Sequence, residues 1–322
     1  MSLRLGFLCD PFATLVRGRD STLELISEAR LRGHSAWVFE QRDLLASSRG
    51  AWVRARSVDA PATLATSTAS LCPLDSFDAL LLRKDPPVDL EFIQASMLAG
   101  LARGPLLVNS PMALRDCNEK LFALQFPELI PPTLIASDPA ALRTQLHEWA
   151  EGAVLKPLDG HGGRGIVVTS RRDRNLDALL ELYTARGTKP ALVQAYLPEV
   201  RLGDKRILMV DGEPRGAFLR VPPPHGNRCN LAAGGTAAPT ELTAHDLSIC
   251  ERVGPALRAR GLLLVGLDVI GRHLVEINVT SPGGLVDAAA LGGARVAAEV
   301  IELIERKQRA GCGAAGQNRM PG

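Results

Sequence analysis

LLLVGLDVIGRHLVEINVTSP, residues 262–282, contains two apolar runs separated by Gly271-Arg272-His273. Both runs are rich in Val, Ile and Leu, which predicts a β-hairpin with a three-residue loop. A hairpin centred on Arg272 sets Asp268 directly opposite Glu276. Asn278 lies two residues further on, on the same face as Glu276, because strand side chains alternate. Two carboxylates facing each other across strands repel and weaken the pairing. Their placement beside a carboxamide predicts a divalent cation held by Asp268, Glu276 and Asn278. An all-oxygen donor set suits Mg²⁺ or Mn²⁺ and opposes Zn²⁺. The alternative is a polar hairpin face turned to solvent.

Working outward, the chain is long enough for two or three domains at 322 residues. Hydrophobic residues make up 46% and charged residues 22%, the balance of an ordinary globular protein. A net charge of +2, with dispersed arginines, implies no nucleic-acid partner and no acidic membrane surface. No apolar run approaches the roughly 18 residues of a membrane span. The start, MSLRLGFLCDP, shows no signal-peptide pattern. Six cysteines without a C-x-x-C pair oppose a zinc site or thioredoxin-like chemistry. They read as reduced thiols of a cytoplasmic protein.

The first hundred or so residues alternate strands and helices, which predicts an open α/β sheet. Strands are expected at 3–10, 35–39, 78–85 and 105–109. Helices are expected from Ser21, with Glu24 completing a capping box, over about 89–103, and from Ser110-Pro111 to about Phe126. The middle of the chain reads as α+β. A helix near 138–150 precedes strand AVLKP (153–157), a glycine-rich loop, strand IVVTS (166–170), a helix near 175–186 and strand ALVQAYLP (191–198). Next come a hairpin turning on Asp211-Gly212, a helix capped at Thr243, the 262–282 hairpin and a last helix over about 294–307. The tail 310–322 lacks apolar period and is expected to be disordered.

Gly160-His161-Gly162-Gly163-Arg164-Gly165 spells G-x-G-x-x-G, but the dinucleotide reading requires a helix to follow, and a strand pattern follows here. No Gly-Lys-Ser/Thr closes the loop as in a P-loop. A glycine-rich tip between strands is a flap whose N–H groups could fold over phosphates. An ordinary mobile hairpin loop is the other reading. Lys156, at the end of an apolar strand just before the flap, is placed to meet a phosphate as a point charge, or else it snorkels. The segment Val193-Gln194-Ala195-Tyr196-Leu197 could offer its backbone to a purine edge, and is equally compatible with core packing. The histidines show no triad spacing. His161 at the flap tip is read as incidental.

RKDPP (83–87), NSPMALRDCNEKLFAL (109–124), LKPLDGHGG (155–163), GDKRILMVDGEP (203–214), NLAAGG (230–235) and VGLDVIG…EINVTSP (265–282) together resemble the bacterial glutathione synthetases, ATP-grasp carboxylate–amine ligases. The likeness runs in order from about residue 9 to residue 282. It implies an ATP-grasp fold, α/β and α+β, with an N-terminal Rossmann-like (pre-ATP-grasp) domain. The expected units are 1–122, a small lobe with the flap at 123–200 and a C-terminal lobe with the metal site at 201–309. The implied activity joins γ-glutamylcysteine to glycine through an acyl phosphate, using ATP and Mg²⁺ or Mn²⁺, in a homo-oligomer, a tetramer by family resemblance. By the same resemblance, Lys120 and Lys156 contact phosphates, the flap with Gly160, Gly162 and Gly163 covers them, and Gln194, Tyr196 and Leu197 form the adenine hinge. Asp204 is the ribose contact, and Arg206 faces the transferred phosphate as a catalytic residue together with Lys156. Asp268, Glu276 and Asn278 correspond to the magnesium ligands. Arg83 and Lys84 contact a substrate carboxylate. Arg228 and Asn230 sit in the loop over the acceptor, with Ser281 beside its pocket.

Two positions depart from the family pattern. Cys229 stands where glycine is usual, and a glycine there would allow φ > 0. The run SPGGLVDAAALGG (281–293) lacks the polar or basic residue that usually follows, so the groups expected to hold the acceptor carboxylate near 283–290 are partly missing. The second departure motivates an alternative: the same chemistry with a different acceptor amine or carboxylate substrate in a specialised pathway. A third reading is a non-catalytic nucleotide-binding protein.

Overall fold

A computed structural model describes residues 2–317, with side chains through Ala310. Three sheets form its frame. In the first, strands Ser35–Phe39, Arg4–Leu8, Ala79–Leu82 and Leu106–Val108 lie side by side and parallel. The expected open α/β sheet is there. An antiparallel extension built on Gly50–Ala60 widens it through short strands at Leu44–Ser47, Ala65–Thr66 and Ser70–Pro73. The sequence reading places no strand there. The buried residues of Gly50–Ala60 are Val53 and Ala55 in one core cluster and Val58, three residues on, in another, so the strand carries no regular alternation.

Helix Ser21–Leu31 returns along this sheet. Its cap is Asp20, whose carboxylate accepts from the N–H groups of Thr22 and Leu23, and not the expected Ser21. Helix Leu90–Ala99 is capped by Asp89 in the same way. Ser110 and Pro111 start a helix as expected, but it stops at Asp116. Asn118 ends it: its Oδ1 accepts from the N–H groups of Lys120 and Leu121, so a side chain competes with the helical ladder. The resulting turn carries Glu119 and Lys120.

The second sheet is antiparallel, in the order Val167–Thr169, Ala153–Pro157, Ala191–Ala195, Thr133–Ala136. Helices Pro139–His147 and Leu176–Tyr183 cover one face. Leu142, Leu146, Leu155, Leu180 and Val193 fill a core of its own. The other two core clusters run without a break from the first sheet into the third.

The third sheet is also antiparallel, in the order Thr236–Ala238, Glu213–Val221, Asp204–Val210, Leu264–Ile270, His273–Asn278. The turn between its second and third strands falls on Asp211-Gly212 as expected, both at positive φ. In the last hairpin Ile270 pairs with His273, so the turn holds two residues and not three. Asp268 still faces Glu276, because a bulge at Val275 adds one residue to the second strand. Helix Ala244–Ala259 is closed by a capping box of Thr243 and Asp246. Helix Leu285–Gly292, which the sequence reading lacks, precedes a last helix, Val296–Gln317. The tail expected to be disordered, 310–322, is therefore helical through Gln317, and 318–322 lie outside the described residues.

Candidate active site

Strand alternation on the third sheet puts Asp204, Arg206, Arg220, Asp268, Glu276 and Asn278 on one face. Asp204 pairs with Arg220, Arg206 with Asp268, and Asp268 with Glu276, across four adjacent strands. Arg206 grips Asp268 with two bonds, Nε to Oδ1 at 2.6 Å and Nη2 to Oδ2 at 3.1 Å. Arg220 reaches the same carboxylate at 2.7 Å and also holds Asp204. Burial alone would push the Asp268 pKa up, but the two guanidinium charges override it and hold the carboxyl down at about 2. Asp204 goes the other way. Burial raises it to about 6 even with Arg220 beside it, and its Oδ1 is buried without a hydrogen-bond partner.

Arg206 has room because residue 266 has no side chain. A Cβ there would lie 3.0 Å from both Cδ and Nη1 of Arg206. Gly266, Arg220 and Glu119 are not expected from the sequence. The signal for Arg220 was its place at the end of an apolar strand, where arginine also reads as an ordinary surface residue.

Lys120 enters from the broken helix. Its Nζ lies 2.9 Å from Glu276 Oε1 and 2.7 Å from the carbonyl of Gly160, at the root of the flap. Burial disfavours its charge, but Glu276 outweighs that and raises the pKa. Its neighbour Glu119 accepts from the N–H groups of Val279 and Thr280, each at 3.2 Å. Burial and the nearby Glu276 charge push the Glu119 carboxyl up to about 7. Lys156 donates to Gln194 Oε1 at 2.9 Å, and Gln194 Nε2 donates to Thr133. Desolvation pulls the Lys156 pKa down.

These groups surround a cavity between the second and third sheets. Its walls include Lys120, Lys156, the flap, Gln194 to Leu197, Asp204, Asp268 and Glu276, with apolar faces from Val154, Val168, Ile270 and Val275. The Tyr196 N–H is used by the Gly152 carbonyl, while the Leu197 N–H has no partner among the described residues and is open to a ligand. The flap lies against the 227–230 loop. Arg228 donates to the Gly163 carbonyl at 3.4 Å, and Gly163, at φ +79°, packs against Asn230. Cys229 adopts no positive φ, and its buried side chain joins the cavity wall, so the departure from glycine is absorbed locally. Desolvation raises its thiol to about 12.

A second cavity adjoins the first and shares His161, Gly162, Arg164, Asn230 and Glu276 with it. Its far walls belong to the N-terminal sheet and to residues 281–287. Arg83 lies here, 4% exposed, donating to Thr22 Oγ1 and the Pro282 carbonyl; Ser281 Oγ in turn donates to the Arg83 carbonyl. No carboxylate pairs with this guanidinium among the described residues, and desolvation lowers its pKa. Asn278 and Arg206 also line this space. Lys84 is not brought to it. The side chain following Arg83 turns the opposite way, to Asp10 at 3.0 Å and a separate surface hollow.

Among the described residues no group of three or more His, Cys, Asp or Glu could hold a metal ion. The expected set is different: two carboxylates and a carboxamide, facing one way from paired strands. Asn278 Oδ1 accepts no hydrogen bond among the described residues, and its Nδ2 donates to Gly266 at 3.3 Å, which turns the oxygen outward. A carboxylate has about four lone-pair sites, so Asp268 keeps acceptor capacity after its arginine bonds. The donor set fits a hard dication.

Comparisons with known proteins agree with this architecture. The model of the prokaryotic glutathione synthetase N-terminal domain matches residues 3–115, and that of the ATP-grasp domain of the same family matches residues 119–292. The glutathione synthetase of Pseudomonas putida is 43% identical over 317 residues, covering 96% of this chain and 100% of the relative. That of Nitrosomonas europaea is 41% identical over 318 residues, covering 94% and 98%. Among solved structures, D-cycloserine synthetase DcsG superposes with a TM-score of 0.65 at 15% identity, over 94% of this chain and 99% of that one, a likeness of fold alone. The chain belongs to the prokaryotic glutathione synthetase family and is an ATP-grasp ligase that forms an amide bond.

Proposed function

We propose that this protein joins γ-glutamylcysteine to glycine at the expense of ATP, with the nucleotide in the first cavity and both amino-acid substrates in the second. One observation carries the reading: the two cavities meet at Glu276, Arg164 and the flap, beside Arg206 and Lys120. A γ-phosphoryl group pointing out of the first cavity would there meet a carboxylate arriving from the second.

A carboxylate is a poor electrophile at neutral pH. Phosphorylation turns it into an acyl phosphate, the acceptor amine attacks the carbonyl, and inorganic phosphate leaves. Lys120 and Lys156 hold the phosphates as point charges, and Lys156 also braces Gln194 at the purine end. Arg206, fixed by Asp268 and with Nη1 also donating to the Gly283 carbonyl, lines the second cavity, where its positive charge opposes charge developing on the transferred group. Asp204, held by Arg220 on the wall of the first cavity, is the ribose contact. The flap, closed against Asn230 and Arg228, excludes water that would hydrolyse the acyl phosphate. Asp268, Glu276 and Asn278 would hold Mg²⁺ or Mn²⁺, which neutralises charge on phosphate oxygens.

The 281–293 run suggested an acceptor pocket short of cations. Arg83 supplies one beside Ser281 and Pro282, which favours a small amino acid such as glycine over an uncharged amine. ADP release with γ-glutamylcysteine and a panel of amines tests this. Turnover with glycine is expected, and turnover only with another amine would overturn it. Asp268→Asn and Glu276→Gln are each expected to cut turnover at least a hundredfold with folding intact by circular dichroism. Near-full Mg²⁺-dependent activity in either would remove the metal assignment.

The five described cysteines are all free and buried, which supports a reducing, cytoplasmic setting. Leu90, Met97, Leu101 and Met112 are each more than half exposed, apolar side chains that self-association would cover. Light scattering should show an oligomer, a tetramer by family resemblance.

A further inference from the structure

Several charged side chains of the second cavity take no part in the chemistry above: Asp20 caps helix Ser21–Leu31, Glu119 accepts from backbone N–H groups, Asp85 lies beside Arg83 and Ser281, and Arg19 and Asp287 remain. Arg19 stands on the loop entering helix Ser21–Leu31, and Asp287 stands in helix Leu285–Gly292. Both line the second cavity and neither lines the nucleotide cavity. Neither makes an ion pair or a side-chain hydrogen bond among the described residues. The cavity's other guanidinium groups are differently placed. Arg206 and Arg220 are tied to Asp268, Arg83 beside Pro282 is assigned above to the acceptor carboxylate, and Arg164 rides on the flap.

The two elements are pinned to each other. The Leu285 N–H donates to Ser21 Oγ at 3.2 Å. Arg19 and Asp287 each lie two residues from that bond, yet they stay beyond ion-pair distance of each other. Opposite charges held on a shared frame with a gap between them match a zwitterion.

An α-amino-acid group is such a zwitterion. Each substrate of the reaction proposed above carries one, and chemistry separates them. The acceptor amine must lose its proton before it attacks, and a carboxylate beside it would hold that proton on. The α-ammonium of the γ-glutamyl group never reacts, so a permanent carboxylate partner suits it. The position agrees, because the γ-glutamyl head is the end of the donor furthest from the transferred phosphate. We propose that Arg19 and Asp287 bind the α-carboxylate and α-ammonium of the γ-glutamyl head and set the enzyme's preference for that acyl group.

The inference rests on γ-glutamylcysteine being the donor, and matched donor analogues test it. Glutarylcysteine keeps the remote carboxylate and lacks the ammonium; 4-aminobutyrylcysteine keeps the ammonium and lacks the carboxylate. Affinity for each is measured by calorimetry with a non-hydrolysable ATP analogue and Mg²⁺, and KM is measured wherever turnover occurs. The full-length wild type should bind γ-glutamylcysteine about tenfold to a hundredfold more tightly than either analogue, the usual worth of a charge-assisted hydrogen bond. Asp287→Asn should erase the preference over glutarylcysteine only, and Arg19→Gln the preference over 4-aminobutyrylcysteine only, with KM for ATP and glycine unchanged. A preference that survives the matching substitution, or an Arg19→Gln effect on glycine instead, overturns the proposal. Tight donor binding with the predicted variant pattern but no turnover with glycine would leave the inference standing and sink the ligase assignment. No binding of γ-glutamylcysteine by the wild type would sink both.

Discussion

Gly266 shows how a single missing side chain shapes the site. Arg206 is held by two bonds to Asp268 and a third contact to the Gly283 carbonyl, so it has little freedom to give way. A Cβ at 266 would crowd it at 3.0 Å. Gly266→Ala should lower kcat by about tenfold or more, equivalent to about 1.4 kcal/mol of lost transition-state stabilisation. The melting temperature should move by only a few degrees, and wild-type kcat would show that Arg206 can yield. Glu119 carries a prediction of a different kind. Its carboxyl titrates near 4.5 when unfolded and is pushed up to about 7 in the fold, first by burial and then by Glu276. Between those values the native state binds more protons than the unfolded one, so this group's contribution to stability falls as pH rises. Denaturant melts of the metal-free, nucleotide-free protein should show a decline from about pH 4.5 to 7 that is flatter in Glu119→Gln. An equal decline in the variant would remove Glu119 as its source. Neither residue was legible from sequence. A glycine inside an apolar strand has no pattern of its own, and Glu119 was hidden inside an expected helix. The sequence sets both Arg83 and Lys84 at a substrate carboxylate, but consecutive residues of an extended chain point apart, and only Arg83 faces the cavity.

The hairpin at 262–282 and the flap were the most legible elements, for opposite reasons. The hairpin has strong apolar runs, so the facing of Asp268 and Glu276 followed from symmetry about Arg272. The symmetry was inexact: a tighter turn and a bulge at Val275 cancel, and loop length cannot reveal a compensating bulge. The bulge has an effect of its own, since it turns both Val275 and Glu276 toward the first cavity. The flap was legible from what it lacks. Gly162, Gly163 and Gly165 all take φ between +60° and +79°, which side chains rarely adopt. Gly163 bears a second constraint, because a Cβ would lie 2.6 Å from Asn230 Oδ1. Gly163→Ala should therefore hold the flap off the 227–230 loop. The expected result is a kcat at least tenfold lower, with more ATP hydrolysed per amide bond formed and a melting temperature close to wild type, since the flap contributes nothing to the cores. Unchanged coupling between ATP use and product would show that flap closure does not exclude water. The helix expected from Ser110 to Phe126 failed for a local reason: Asn118 diverts backbone N–H groups to its own side chain, and the turn it makes delivers Lys120 to Gly160 and Glu276.

At the scale of the molecule, the cores are divided unevenly. Two clusters join the first and third sheets into one packed body, and Asn109 ties them further by bonding the backbone of Leu263, Leu264 and Val279. The last helix adds ion pairs from Glu302 and Glu305 to Arg32 near the end of the Ser21–Leu31 helix. The second sheet has only its own small cluster of Leu, Ala and Val side chains, each large one worth about 1.5–3 kcal/mol when buried. It meets the rest across the first cavity through polar contacts such as Lys120 to the Gly160 carbonyl and Arg228 to the Gly163 carbonyl. Such contacts exchange readily with water, so this lobe should open and close as a unit at little cost while the larger body stays closed. A nucleotide bridging both walls would add contacts only in the closed form and shift the population toward it. Hydrogen exchange with and without a non-hydrolysable ATP analogue and Mg²⁺ should then show a specific pattern. Amides of the 158–166 flap, of Tyr196 and Leu197, and of the 227–235 loop should slow by at least tenfold. Amides of the buried strands Arg4–Leu8 and Ala79–Leu82 should not change. Uniform slowing across all three sheets would mean that the protein closes as one body, and the small lobe would lose its role as the moving part.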